Sequence, residues 1–311
     1  MKKLLLLLLL SHTLILSLTS CSSEDTDNQL EKINKFKLDD NQVTIYCVGC
    51  ELYEIGEVRG KKYIAVDKNY LRNLISSGED LNSFNFIPSN VGLNGESVEN
   101  VSVCTSLITD LEGSFGEIIG DISSWDVSNV TNLNSFFSGS NSNYNLNSWD
   151  VSSVTTMVNT FGDSNFNGYI DNWNLSSLLN MDYTFLNSNL GVNVDISKWN
   201  TSKVTSMSRT FQQASLINSS ISNWDVSSVN DMSWMFYGAA FNQPIGEWNT
   251  SSVTNMKGMF QWATSFDQSI EAWDVSSVTK MEDMFQLADV SNTNKGLIHE
   301  SFSSNPNWPY D

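Results

Sequence analysis

The chain has 311 residues, with 35 Asp or Glu against 16 Lys or Arg and a net charge of −19. That balance excludes duplex nucleic acid and anionic membrane surfaces as partners, since both select Lys and Arg. Its 11% aromatic content and 10 Trp exclude a disordered acidic chain. The only histidines are His12 and His299, which leaves no basis for a Ser/His/Asp or Cys/His centre or a His-ligated metal. No cofactor is implied.

Residues 1–20 read as a signal peptide. Met1-Lys2-Lys3 is a basic n-region, and Leu4–Leu10 opens an apolar stretch that is shorter than a membrane span and is broken at Ser11-His12-Thr13. The stretch ends Leu18-Thr19-Ser20-Cys21, which resembles the bacterial lipobox and marks Cys21 for lipidation. Residues 21–36 form an acidic tether. Its Ser22-Ser23-Glu24-Asp25-Thr26-Asp27 resembles the signals that send lipoproteins to the outer face of the outer membrane in Bacteroidetes-type bacteria. Lipid on Cys21 would supply the membrane affinity that such an acidic chain lacks.

Residues 103–288 repeat. Trp recurs at 125, 149, 173, 199, 224, 248 and 273, and positions below are counted from it as W+n. Ile or Leu stands at W−3, Ser at W+3, Val or Leu at W+5, Met or (once) Leu at W+8, and Phe at W+12 in every copy. A unit of 24–26 residues cannot bury its own apolar stripe, whereas stacked copies can. Ile245–Ser251 reads as a strand. Thr254 is a candidate N-cap, and Val253, Met256, Phe260 and Ala263, spaced three, four and three, read as one face of a short helix. The fold class expected is therefore an α/β repeat solenoid of about eight strand–short-helix units, one of them a partial first copy.

These residues carry a resemblance. Trp224-Asp225-Val226-Ser227-Ser228-Val229 followed by Met235-Phe236, and the opening Val103-Cys104-Thr105-Ser106-Leu107, resemble the BspA-type leucine-rich-repeat surface proteins. The resemblance implies a leucine-rich-repeat-like stack on a bacterial surface, with adhesion or protein binding as its role. It also implies a disulfide between Cys47 and Cys104, where that family places its two cap cysteines. The spacing of Cys47 and Cys50 leaves that closer pair as the alternative, and a redox role for the C-x-x-C finds no thioredoxin-like setting.

Residues 37–102 read as an N-terminal cap. It has strands at 43–47 and 62–66, a helix N-capped by Asp67 with Tyr70, Leu71, Leu74 and Ile75 on one face and stopped by Gly78, then a polar loop over 79–102. Residues 289–311 form a C-terminal cap or tail.

Two surfaces are candidate sites. Trp234, Tyr237 and Trp262 fall outside the repeat pattern, at positions filled elsewhere by residues such as Asn159, Gly258 and Gln212. Aromatics that the fold does not require suit glycan stacking or a protein hot spot, and on the helical reading all three share one outward patch around Gly238. The second surface is the W+1 ladder of Asp126, Asp150, Asn174, Asn200, Asp225, Asn249 and Asp274. Asp and Asn interchange along it, so it needs an acceptor oxygen rather than a charge. Asp163–Gly168 imitates an EF-hand loop but reaches Asn174 where the bidentate Glu belongs, so no metal is expected. The chain reads as a non-enzymatic lipoprotein anchored in the outer membrane and exposed at the cell surface. Its expected ligand is an extracellular protein or glycan. The alternatives are a passive envelope component or, less favoured, a glycan-active enzyme with paired carboxylates.

Overall fold

The computed structural model describes residues 35–215 and 219–310. The expectations for the signal peptide, Cys21 and all but the end of the tether lie outside those residues.

The N-terminal segment builds two small sheets. Strands β1 (Phe36–Leu38) and β2 (Ile45–Cys47) pair antiparallel. Strands β3 (Ile55–Val58) and β4 (Lys61–Ala65) form a hairpin through Arg59 and Gly60, both at positive φ. Helix α1 (Lys68–Ser76) starts at Asp67, whose carboxylate accepts the Tyr70 N–H at 2.8 Å, and buries Leu71, Leu74 and Ile75. The segment expected as loop over 79–102 instead contains β5 (Phe84–Phe86), a 3₁₀ turn at Pro88–Val91, and most of β6 (Val98–Cys104). Phe84 and Phe86 are buried on either side of exposed Asn85, a period of two that the surrounding Asn, Ser and Gly obscure. Strand β6 pairs parallel with β4 and antiparallel with β5, giving the order β3-β4-β6-β5.

Beyond Cys104 the repeats stack in parallel register. Isolated bridges join W+7 positions in sequence, Asp110–Asn132–Thr156–Asn180–Ser206–Asp231–Asn255–Lys280. In the central copies, N–H groups at alternate positions donate to the next repeat: Met232 to Asn255, Trp234 to Lys257, Phe236 to Met259 and Gly238 to Gln261, all at 2.8–2.9 Å. The pairing backbone is thus the W+7 to W+14 segment, not the Trp segment read as a strand.

That segment is not helical either. The residues at W+10 (Ser135, Asn159, Tyr183, Arg209, Trp234, Gly258, Asp283) and at W+14 (Gly139, Asp163, Asn187, Gln213, Gly238, Trp262, Leu287) all have φ between 49° and 72°. A left-handed residue every fourth position forbids a right-handed helix. It gives instead successive turns closed by bonds such as Met259 N–H to Met256 O (3.2 Å) and Ala263 N–H to Phe260 O (3.0 Å), with positive φ at the third residue of each, the type II pattern. Val253, Met256, Phe260 and Ala263 nevertheless all point inward and are fully buried.

Inside the stack the apolar columns run from copy to copy. Phe137, Phe161, Phe185, Phe211, Phe236, Phe260 and Phe285 stack with centroids 5.3–5.6 Å apart. Trp rings stack at 6.1–6.4 Å from Trp125 to Trp224 and again from Trp248 to Trp273. Each indole from Trp149 to Trp273 donates Nε1–H to the W−3 carbonyl of the preceding repeat at 2.9–3.2 Å, as Trp199 does to Ile170. Each of those carbonyls also accepts the backbone N–H of its own repeat's Trp, as Ile170 does from Trp173 at 3.2 Å, so the indole adds a second bond, between neighbouring repeats, that Phe could not make.

One apolar core runs from Ile64 in the N-terminal sheet through the repeats to Phe302 in α2 (Asn292–Phe302). At its C-terminal end Asn305 donates to the carbonyls of Val275 (2.6 Å) and Val278 (2.9 Å), and the Tyr310 hydroxyl accepts the Phe285 N–H (2.8 Å). The Tyr310 hydroxyl takes the place of the carbonyl that the next repeat supplies to the W+12 N–H elsewhere, as Met284 does to Phe260.

Candidate ligand-binding surface

The cysteines do not form the expected pair. Cys47 is joined to Cys50, with Cα atoms 5.8 Å apart, and Cys104 is a free, buried thiol. The Cys104 Sγ lies at the end of β6 against the Ile45 carbonyl (3.7 Å) and Ser106 Oγ (3.6 Å), and burial pushes its pKa up, which keeps it unreactive.

The W+1 ladder is committed to local turns. Each oxygen, from Asp126 to Asp274, accepts the W+3 Ser N–H at 2.9–3.2 Å. At Asp126, Asn200, Asp225 and Asn249 the Ser hydroxyl donates as well. This is an Asx turn, which Asp and Asn make equally well, so their interchange along the column follows. Asp126 alone is buried, and its other oxygen accepts from Ser106 Oγ at 2.5 Å. Asp163 accepts from the Asn187 amide (2.9 Å), one step along the W+14 column.

The three off-pattern aromatics separate. Trp234 stands in the W+10 column, half-buried, with the Arg209 guanidinium 4.5 Å from its ring centroid and Lys257 Nζ at 5.7 Å. Arg209 also lies 5.5 Å from the Tyr183 ring, so consecutive W+10 residues alternate ring, cation, ring. The far edge of Trp234 covers Gly258, where a Cβ would come within 2.6 Å of its indole. Tyr237, at W+13, is half-buried. Trp262 stands in the W+14 column and is 50% exposed, and Leu287, the same position one repeat on, is 59% exposed. Gly238, one repeat earlier in that column, is exposed and bears no side chain, with Gln213 Cγ 3.4 Å from where a Cβ would stand. No ring contact joins Trp262 to Trp234 or Tyr237 among the described residues. The single three-ring patch expected on a helix is therefore not formed: Trp234 packs on cations in the W+10 column, Trp262 stands open to solvent in the W+14 column, and Tyr237 belongs to neither.

Sequence reasoning missed the role of Arg209, Tyr183 and Leu287. The legible signal was Gly, Asn or Asp at W+14 in Gly139, Asp163, Asn187 and Gly238, the residues that tolerate left-handed backbone. Bulky side chains at such positions carry a conformational cost, and Trp262 and Leu287 bear it while exposed.

A profile of the family described as "Mycoplasma protein of unknown function, DUF285" matches residues 109–191 and 180–297. The matches cover most of the chain, and the chain belongs to that family. Neither a curated protein nor a solved structure matches it.

Proposed function

We propose that the chain is a surface-displayed binding module, a leucine-rich-repeat-like solenoid of BspA type held on the outer membrane by lipid on Cys21. Its stacked repeats present Trp262 and Leu287 to an extracellular protein or glycan. One observation carries the reading: two large apolar side chains occupy neighbouring left-handed positions at 50% and 59% exposure, where neither contributes to the core. An exposed Trp beside an exposed Leu, next to the exposed Gly238, has the character of an interface anchor. The ladder carboxylates are engaged in turns, which favours recognition over chemistry.

A glycan and matrix-protein array probed with the full chain tests this reading. At least one ligand class should be captured by the wild type and lost in Trp262→Ala/Leu287→Ala at unchanged melting temperature. Capture that survives the double change sinks the assignment of the ligand face.

A further inference from the structure

The repeat pattern is left incomplete at one place. At W+17 the later repeats bury a large side chain, Phe166, Leu190 or Phe241, with Phe266 one residue further on. The first full repeat has Ser142 there, half-buried. On the facing side the preceding unit is short: ten residues separate Phe115 from Trp125, against twelve from Phe137 to Trp149. The two deficits together leave a cavity of about 570 Å³ between residues 114–118 and 136–144, within the size range of small-ligand pockets.

The shortened unit also strands two donors. In the following repeats the N–H groups at W+16 and W+18 bond to the preceding copy: Asn165 to Ser140 (2.9 Å), Asn167 to Ser142 (3.3 Å), Asn189 to Ser164 (2.9 Å) and Gly191 to Phe166 (2.9 Å). The equivalent N–H groups of Asn141 and Asn143 have no acceptor among the described residues, and by the same register they face the cavity. Asn141 Oδ1 is taken by the Asn165 amide (2.7 Å), so its own amide N–H groups remain to donate. Phe136 and Phe137 form the floor, Glu117 is exposed at the rim, and the Tyr144 hydroxyl donates to the Ile118 carbonyl (2.8 Å), tying the two walls together at one end.

We propose that this cavity binds the terminal ring of a neutral saccharide. Fixed backbone and amide donors suit sugar oxygens, and the exposed Glu117 carboxylate accepts from sugar hydroxyls. An acidic sugar is disfavoured by Glu117 and by the net charge of −19. An extended peptide needs an open edge along which donors and acceptors alternate, and the Tyr144–Ile118 tie closes this one after two donors. The site shares no residue with the Trp262 face, so failure at one is separable from failure at the other.

The test titrates maltose, cellobiose, lactose and chitobiose, each to about 10 mM, onto ¹⁵N-labelled full chain in detergent micelles. At least one sugar should shift the Asn141 and Asn143 amides saturably. Ser142→Phe, which restores the side chain that other repeats bury, should weaken that binding at least about tenfold without lowering the melting temperature. Ser142→Leu, which copies the choice made at Leu190, serves if the Phe variant misfolds, and Trp262→Ala should leave the shifts intact. Silence of both amides toward all four sugars overturns the proposal, as does undiminished binding once position 142 is filled.

Discussion

The inward and outward columns of the repeat obey different rules although they alternate along the same eight residues. Inward positions W+8 and W+12 hold Met or Leu and Phe in copy after copy, because each ring or thioether packs between its own equivalents above and below. Outward positions W+10 and W+14 share a backbone conformation but not a side chain, running from Gly to Asp to Arg to Trp. The scaffold thus constrains φ on its outer face and leaves the chemistry free, and it is on that face that Trp262 and Leu287 stand. In the core, identity is structural. On the surface, the scaffold leaves side-chain identity free to vary.

The contrast breaks first if the core columns are not continuous. Trp199→Ala removes a ring stacked on Trp173 and Trp224 and its indole bond to the Ile170 carbonyl, which keeps only the Trp173 N–H. We expect a loss of about 3–5 kcal/mol, read by denaturant unfolding. Because coupling passes between neighbours, exchange protection should fall fastest in the adjoining copies. An unchanged unfolding midpoint would remove Trp199 from any core ladder.

The second test addresses the outward backbone. Gly258 combines φ 59° with the Trp234 indole lying across it. Gly258→Ala must place a methyl group on a left-handed residue and displace that ring, at a cost of about 1–2 kcal/mol. The same change at Gly139, which has φ 72° but open space around it, incurs only the backbone share. Equal losses at the two sites would show that Trp234 does not pack on Gly258.

What the sequence made legible follows the same division. The Trp, Phe and Met periods identify the core columns because the same packing problem is solved in each copy, and the inward face of Val253, Met256, Phe260 and Ala263 was readable for that reason. The conformation joining them was not. Steps of three, four and three fit a helix, but two successive type II turns present the same face, and only the Gly, Asn and Asp at W+14 distinguish them. Strand β5 escaped notice because Phe84 and Phe86 lie in an Asn- and Ser-rich stretch too short for alternation to stand out. The Arg209–Trp234 contact joins residues 25 apart, and it becomes visible only once the register of stacking is known.

A smaller effect separates two kinds of carboxylate. Burial holds the Asp182 carboxyl above the usual range, against hydrogen bonds from Ser206, Ser208 and Asn180 that pull it down. The exposed Asp225 and Asp274 lie below it, because Ser hydroxyl and backbone N–H groups bond to their charged form. A raised native pKa contributes stability that is fully present below the unfolded value and is lost as pH rises through the native one, whereas a depressed native pKa contributes above the unfolded value and loses it on acidification. Asp182→Asn should therefore raise the melting temperature near neutral pH and lose that advantage below about pH 3.9. Asp274→Asn should do no better than wild type at neutral pH. A gain from Asp182→Asn that is constant with pH would mean that its carboxyl does not titrate across the transition.

The smallest expected change in stability is at the proposed ligand face, and its smallness is the point. Trp262 makes one backbone bond to the next repeat, its N–H to the Gln286 carbonyl at 2.9 Å, and any residue with an N–H can keep it. Its ring is half exposed, with neither the cation contacts that hold Trp234 nor a place in the core. Trp262→Ala should therefore shift stability by no more than about 0.5 kcal/mol, whereas Trp234→Ala forfeits contacts with both Arg209 and Lys257 and should cost about 1 kcal/mol. Thermal melts of the two variants side by side, with ligand capture measured on the same samples, separate the roles. Capture lost with Trp262 at constant stability identifies it as a binding residue. A loss of stability at Trp262 as large as at Trp234 would return it to the scaffold and erase the distinction between the two outward columns.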